Sequence, residues 1–307
     1  MRIGIVDVDT SHPQNWIPIE RDLGHEVVGI WDGGAVHSAE YVRKFAADHQ
    51  VPRVYDRLED MVDDVDCAII HGCDWGTHLA KARPFVDAGK AVLIDKPVVG
   101  NVQDTQQLLD WAGKGARVVG GSSLRFAREV AAYLAEPVAE RGQVHTAFAG
   151  CGTDEFNYGI HAYALLSGLM GPGIRSVRYL GASAQKHLQV TWRDGRVGML
   201  CIGEGAWLPF HITAVTDRKV RQITCDAGTL YRALLEAVLP WLAGQQDQPP
   251  FTMAELLEPE LCALAARQSW QQGGADIGIG DLRLEDPGYD GALFARSYRR
   301  QRYPAGG

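Results

Sequence analysis

The sequence has no cysteines at CxxC spacing, no apolar stretch approaching the ~20 residues that cross a bilayer, and no excess of basic charge. Its six cysteines, Cys67, Cys73, Cys151, Cys201, Cys225 and Cys262, are scattered through 307 residues and read as reduced, mostly buried thiols. The 30 Lys and Arg against 38 Asp and Glu, a formal charge of −8, argue against an electrostatic grip on nucleic acid. The local basic cluster of Arg296, Arg299, Arg300 and Arg302 reads as a solvated or docking terminus. No charged leader precedes the apolar run at Ile3, so the expectation is a soluble, cytoplasmic protein with no membrane partner. A GxSxG elbow is missing, which leaves serine-hydrolase chemistry without an anchor. Also missing is the glycine-rich turn GxGxxG that a dinucleotide site normally carries after its first strand.

What is present is a regular alternation. Extended runs at Arg2–Val8, His25–Trp31, Arg53–Tyr55, Cys67–His71, Ala91–Ile94 and Arg117–Gly120 are separated by helical patterns. Those patterns begin near Pro13 and span Ser38–Asp48, Thr77–Ala88 and Val102–Ala112. Such a rhythm predicts βαβ units and a doubly wound parallel sheet of the Rossmann type over residues 1–121. Past Gly120–Gly121 a helix over Glu129–Glu140 gives way to closely spaced strands, Val144–Ala149, Val177–Leu180, His187–Trp192, Val197–Ile202, Phe210–Val215 and Val220–Cys225. Arg193–Asp194–Gly195 is a hairpin turn, and helices follow at Leu230–Ala243 and Ala254–Gln271. Residues 122–307 therefore read as an α+β domain with a mainly antiparallel sheet, and the chain as α/β overall.

At the place of the glycine fingerprint stand Asp7-Val8-Asp9-Thr10-Ser11-His12, with Asp7, Asp9 and His12 at the glycine positions. Glycines there let bare backbone approach a pyrophosphate at a helix N-terminus. A carboxylate at the same place repels phosphate, although Thr10 or Ser11 can still cap the helix. Asp32 ends the second strand near the ~20-residue offset of a ribose-binding acid, and an acid there favours NAD over NADP. Viewed alone, Asp32 is equally an ordinary turn residue before Gly33–Gly34.

The stretch His78-Leu79-Ala80 … Ala88-Gly89-Lys90-Ala91-Val92-Leu93-Ile94-Asp95-Lys96-Pro97 resembles the glucose–fructose oxidoreductase, inositol dehydrogenase and rhizopine catabolism (Gfo/Idh/MocA) family, where Asp95-Lys96-Pro97 stands for EKP. Leu124-Arg125-Phe126 is similar to the RF at that family's domain crossing, and Ala265–Ser269 to its late helix. Asn157-Tyr158-Gly159-Ile160-His161, with Leu165, Leu166 and Gly171, is similar to its DxGxH…LxxxxG helix. The resemblance implies a Rossmann domain plus a domain whose open sheet forms a homo-oligomer interface. It implies NAD-linked oxidation or reduction of a sugar, cyclitol or sugar-derived metabolite, or, in some members, elimination or isomerisation with transient NAD. Lys96 and His161 carry over as catalytic residues. Two positions depart from the pattern: Asn157 replaces the family's Asp, and Ala164 its later acid.

Together these readings assign catalysis to Lys96, His161 and Asn157, and NAD binding to Asp9, Thr10, Ser11, His12, Asp32, His78, Asp95 and Lys96. Substrate contacts fall to Trp75, Arg125, Asn157 and Tyr158. An imidazole such as His161 suits the base that takes a hydroxyl proton. Lys96 suits the developing alkoxide, while Asn157 orients but cannot take a proton at pH 7. Asp9, His12, His71, Cys73, Asp74 and His78 also gather after two neighbouring strands, but with no specific metal spacing, so no metal is assigned. Polar recognition of a sugar or nucleoside-like ligand, with Trp75 stacking on it, is the other use of that edge. Redox-neutral catalysis at Lys96 and His161, and a non-catalytic sensor or partner subunit, stay open as alternatives.

Overall fold

In the computed structural model, which describes residues 1–304, Ile3, Ile5 and Val6 of β1 (Arg2–Val6) are fully buried. Parallel strands are covered on both faces, and this one reads accordingly. Then follow α1 (His12–Asp22), β2 (Glu26–Trp31), α2 (Ala39–Asp48), β3 (Cys67–Ile70), α3 (His78–Asp87), β4 (Ala91–Ile94), α4 (Val102–Gly113) and β5 (Val118–Gly120). They form a five-stranded sheet in the order β2-β1-β3-β4-β5, parallel throughout. The strand expected at Arg53–Tyr55 is reduced to one bridge, Val54 to Ile30, because the chain turns at once into the 3-10 segment Leu58–Asp64.

Beyond β5 the helix expected over Glu129–Glu140 is broken into α5 (Arg128–Ala135) and α6 (Val138–Arg141). Pro137 between them cannot donate the backbone bond a continuous helix needs. β6 (Val144–Cys151), α7 (Gly159–Met170), β7 (Ile174–Ala182), β8 (Lys186–Trp192), β9 (Val197–Ile202), β10 (His211–Thr216) and β11 (Val220–Thr224) follow. The chain ends with α8 (Ala227–Leu242), α9 (Met253–Gln271), β12 (Asp276–Gly278) and α10 (Gly291–Arg302). The second sheet runs β11-β10-β6-β9-β8-β7-β12, with β6–β9 its parallel pair. Among the described residues no helix is long and apolar enough to cross a membrane.

Helix α8 returns to the first sheet: Leu234, Leu235, Val238 and Leu239 join one core with Ile3, Ile5 and Val27. At roughly 1.5–3 kcal/mol for each fully buried large apolar side chain, that face alone holds the helix in place. Helix α10 also crosses back. Ala295 packs with Val36 after β2 and Cys73 after β3, flanked by Phe294 and Tyr298. The basic terminus is thus a docked helix.

Candidate active site

The C-terminal ends of parallel strands are where such sheets gather their chemistry. Directly after β4, Asp95 is 3% exposed and accepts three hydrogen bonds. They come from Nδ1 of His12 at 2.5 Å, Nδ1 of His71 at 3.1 Å and the backbone N–H of Lys96 at 2.7 Å. Burial pushes this carboxyl up, but His12 and His71 override it and hold it well below the usual carboxylate range. Burial lowers His71, despite Asp95, and so keeps it a neutral imidazole.

Lys96 turns its ammonium the other way, donating to the backbone oxygen of Asn157 at 3.1 Å and to its Oδ1 at 2.9 Å. Two of its three N–H groups are used, leaving one for a substrate oxygen. Burial lowers its pKa against the pull of Asp95 and Asp154. Two residues into α7, His161 is 6% exposed and its Nδ1 pairs with Oγ of Ser122 at 2.7 Å. Burial, then the charge of Lys96, push His161 well below its ordinary 6.5, so it is neutral at pH 7. Phe210 and Tyr158 flank the ring, and Tyr231 of α8 lies 5.0 Å from His12. Lys96, Asn157, Tyr158, His161, Asp95 and His12 are therefore brought together. Sequence reasoning missed Ser122 and Tyr231, for which no local pattern exists.

Other assigned residues go elsewhere. His78 is fully buried between the carbonyl oxygens of Val98 and Gly72, where it clamps two loops and reaches no ligand. Arg125 is buried over the ring of Phe251, 4.4 Å from its centroid. Trp75 is 3% exposed, with its indole N–H tied to Tyr289 O at 2.7 Å, so it packs and does not offer a stacking face. It borders a cavity of about 650 Å³, lined also by Asn157, Lys186, Arg267 and Phe294, that touches the Lys96 cluster through Asn157. That volume suits a sugar-sized or larger ligand.

A dinucleotide laid across this edge needs bare backbone after β1, a free acid after β2 and an open floor for adenosine. The chain itself takes up each. Asp7 keeps the left-handed backbone of a glycine (φ 67°), and its carboxylate is bound by the Gly33 N–H at 2.9 Å and Lys81 Nζ at 2.6 Å. Asp9, fully buried, accepts from the Cys73 N–H at 2.9 Å, and burial with Asp7 nearby pushes it up to about 7. Asp32 folds back onto the N–H groups of Val8 and Gly34. Thr10 Oγ1 accepts from the His12 N–H, and Ser11 caps α1 without a side-chain bond. Over the adenosine half, buried His37 bonds the Tyr303 hydroxyl at 2.6 Å, while Arg299 reaches Gly34 O. As folded, these residues do not fit the dinucleotide. Nor do His12, His71, Asp9 and Cys73 converge on a metal: among the described residues no three His, Cys, Asp or Glu side chains do.

Comparison with known proteins places this geometry. Residues 1–121 match the GFO_IDH_MocA family, described as an oxidoreductase family with an NAD-binding Rossmann fold. The trans-1,2-dihydrobenzene-1,2-diol dehydrogenase of Danio rerio is 29% identical over 110 residues, 36% of this chain and 31% of that protein. The chain thus spans about a third of that curated relative. The whole architecture is close to myo-inositol dehydrogenase of Lactobacillus casei, solved with NAD(H) and myo-inositol (TM-score 0.76, 14% identity, 91% of this chain and 96% of that one). It is equally close to scyllo-inositol dehydrogenase of the same organism (TM-score 0.76, 13% identity, 91% and 99%). At such identities the likeness is one of fold.

Proposed function

We propose, from the match of residues 1–121 to the Gfo/Idh/MocA oxidoreductase family with its NAD-binding Rossmann fold, an enzyme acting at a hydroxyl- or carbonyl-bearing carbon of a sugar, cyclitol or sugar-derived metabolite. The observation that carries the reading is the Lys96–Asn157 hydrogen bond, with buried His161 near enough to feel the Lys96 charge and Asn157 also lining a cavity of sugar-binding size. Neutral His161 takes the proton, Lys96 faces the oxygen that gains negative charge, and Asn157 fixes the Lys96 ammonium. Exposed Phe148 and Leu180 on the second sheet support a homo-oligomer through that face.

Two overall reactions share this site. NAD-linked oxidation or reduction of a CH–OH group is what the family and the inositol dehydrogenase neighbours support. It requires His37, Tyr303 and α10 to leave the adenosine half of the groove. Redox-neutral elimination or isomerisation is favoured by a specific observation: the groove is filled by buried Asp9, by His37 and by the C-terminal helix. The geometry supports this second reaction better. Calorimetric titration with NAD(H) and NADP(H), together with a search for co-purified nucleotide, separates the two. No heat and no nucleotide are expected; tight NAD(H) binding with turnover of a polyol would instead establish the redox reaction.

A further inference from the structure

We propose that His12 is a second acid–base residue of the Lys96 site and that Asp95 is its positioning partner, for a substrate in which a hydroxyl-bearing carbon adjoins a carbonyl, such as a ketose or a keto-cyclitol. The inference rests on the redox-neutral reading above and says how that chemistry is divided among residues.

His12 occupies a position where a nucleotide-binding turn has no side chain to offer. The structure gives it a defined place: its Nδ1 lies 2.5 Å from Oδ2 of Asp95 and its side chain is 13% exposed. With Nδ1–H donated to a carboxylate that stays ionised, Nε2 carries the lone pair, and the imidazolium formed on protonation is paired at once. Nε2 has no partner among the described residues and is not among the buried, unsatisfied atoms. The contrast with His71 on the same carboxylate is informative. His71 has a completely buried side chain, and its Nε2 is sealed from solvent, so it holds Asp95 in place without exchanging protons with a ligand. Asp95 itself is fixed from its other oxygen by the Lys96 N–H, so the residue that presents the ammonium also sets the orientation of the imidazole. Trp16 and Tyr231 fix the ring plane from two sides. Lys96 thus has an imidazole supplied by each domain.

A proton transfer without net redox needs such a pair. The C–H bond beside the substrate carbonyl breaks and its proton goes to Nε2 of His12. Its electron pair forms the C=C bond of an enediolate whose oxygen faces Lys96. While the enediolate is bound, the proton on the partly exposed Nε2 exchanges with solvent; return of a proton from Nε2 to the former carbonyl carbon, with His161 carrying the hydroxyl proton between the two oxygens, completes an isomerisation. No oxidant or reductant enters the balance.

The test is deuterium wash-in, read by proton NMR, with the full chain in D2O and two probes, D-fructose and 2-keto-myo-inositol. Wild type is expected to place deuterium beside the carbonyl of at least one probe. His12→Gln is expected to slow that exchange at least about a hundredfold, the usual scale for an acid–base group. Asp95→Asn is expected to slow it and shift its pH profile, with Asp95→Glu restoring both in part; an unmoved profile would make Asp95 merely structural. As a variant-free check, diethyl pyrocarbonate is expected to modify His12 of wild type, mapped by mass spectrometry, in step with the loss of exchange. Exchange that persists in His12→Gln, or in protein fully modified at His12, overturns the proposal. If Lys96→Ala abolishes exchange while His12→Gln keeps it, the Lys96 reading survives alone. If wild type moves deuterium into neither probe, the redox-neutral reading falls and this proposal with it.

Discussion

Lys81 Nζ lies 2.6 Å from Oδ2 of Asp7, a pair whose side chains are 12% and 0% exposed. It places an acid and its counter-ion where a nucleotide-binding turn keeps bare glycine. The pair explains how a carboxylate is tolerated at the mouth of a parallel sheet: its charge is answered from α3. Asp7→Gly relieves a left-handed strain of about 1–2 kcal/mol. It also strands the Lys81 ammonium, and breaking a buried pair costs about 3–5 kcal/mol. The charge term wins. Asp7→Gly, Asp7→Asn and Lys81→Met are each expected to destabilise the fold in urea titrations, and the double variant Asp7→Asn/Lys81→Met to lose less than the sum of its two singles. Additive losses in the double variant would show that the two side chains do not act as a pair.

The stability contributed by Glu20 and Glu260 is expected to fall as pH rises. Burial pushes Glu20 up to about 8 and Glu260 up to about 7, both above their ordinary 4.5. These two carboxyls hold protons in the native state that the unfolded chain has released between about pH 4.5 and 8, so the stability they contribute declines across that window, while the lowered His71 and His161 act the other way below about pH 6.5. For Glu20 the two values differ by roughly 5 kcal/mol at most. Glu20→Gln should flatten the slope of melting temperature against pH; an unchanged slope would remove Glu20 as its source. Asp95 works oppositely, contributing stability that is lost as pH falls below the carboxylate range.

Lys96→Ala and His161→Ala are each expected to lower turnover at least about a hundredfold in whichever assay wild type responds to, deuterium exchange or nicotinamide absorbance. His161→Ala removes a buried ring and the partner of Ser122, so His161→Gln, which keeps a polar group there, serves as its stability control. Full activity in either removes that residue from the mechanism.

Thiol chemistry offers a check that needs no substrate. Cys201 is exposed, while Cys67, Cys73, Cys151, Cys225 and Cys262 are buried, and burial raises the pKa of each of those five thiols. One fast equivalent of an aromatic disulfide reagent is expected under native conditions, at Cys201, and the rest only in denaturant. Rapid labelling at Cys73 would mean that the loop between β3 and α3 opens and that α10 lifts.

The layers of the molecule were legible because burial on two faces writes itself locally. Runs such as Ala68–Ile69–Ile70 allow no half-exposed alternative, and Arg193–Asp194–Gly195 has a turn's composition. Lys96, Asn157 and His161 stood out because each lies in a motif, Asp95-Lys96-Pro97 or Asn157-Tyr158-Gly159-Ile160-His161, that resembles a family pattern. His78 and Trp75 were not. A buried imidazole between two carbonyl oxygens and a ligand-facing one look identical in a sequence, and so do a packed and an open indole.

The amino-acid order alone determined where strands and helices run and which residues meet at the ends of β3 and β4. Periodicity and strand ends are properties of neighbours in the chain. What fills the groove was decided by tertiary structure. Lys81 answers Asp7 across 74 positions, His12 finds Asp95 across 83, and Tyr303 closes on His37 across 266. Ion pairs and hydrogen bonds form between groups that the folded backbone brings within about 3 Å, and no local pattern encodes that distance.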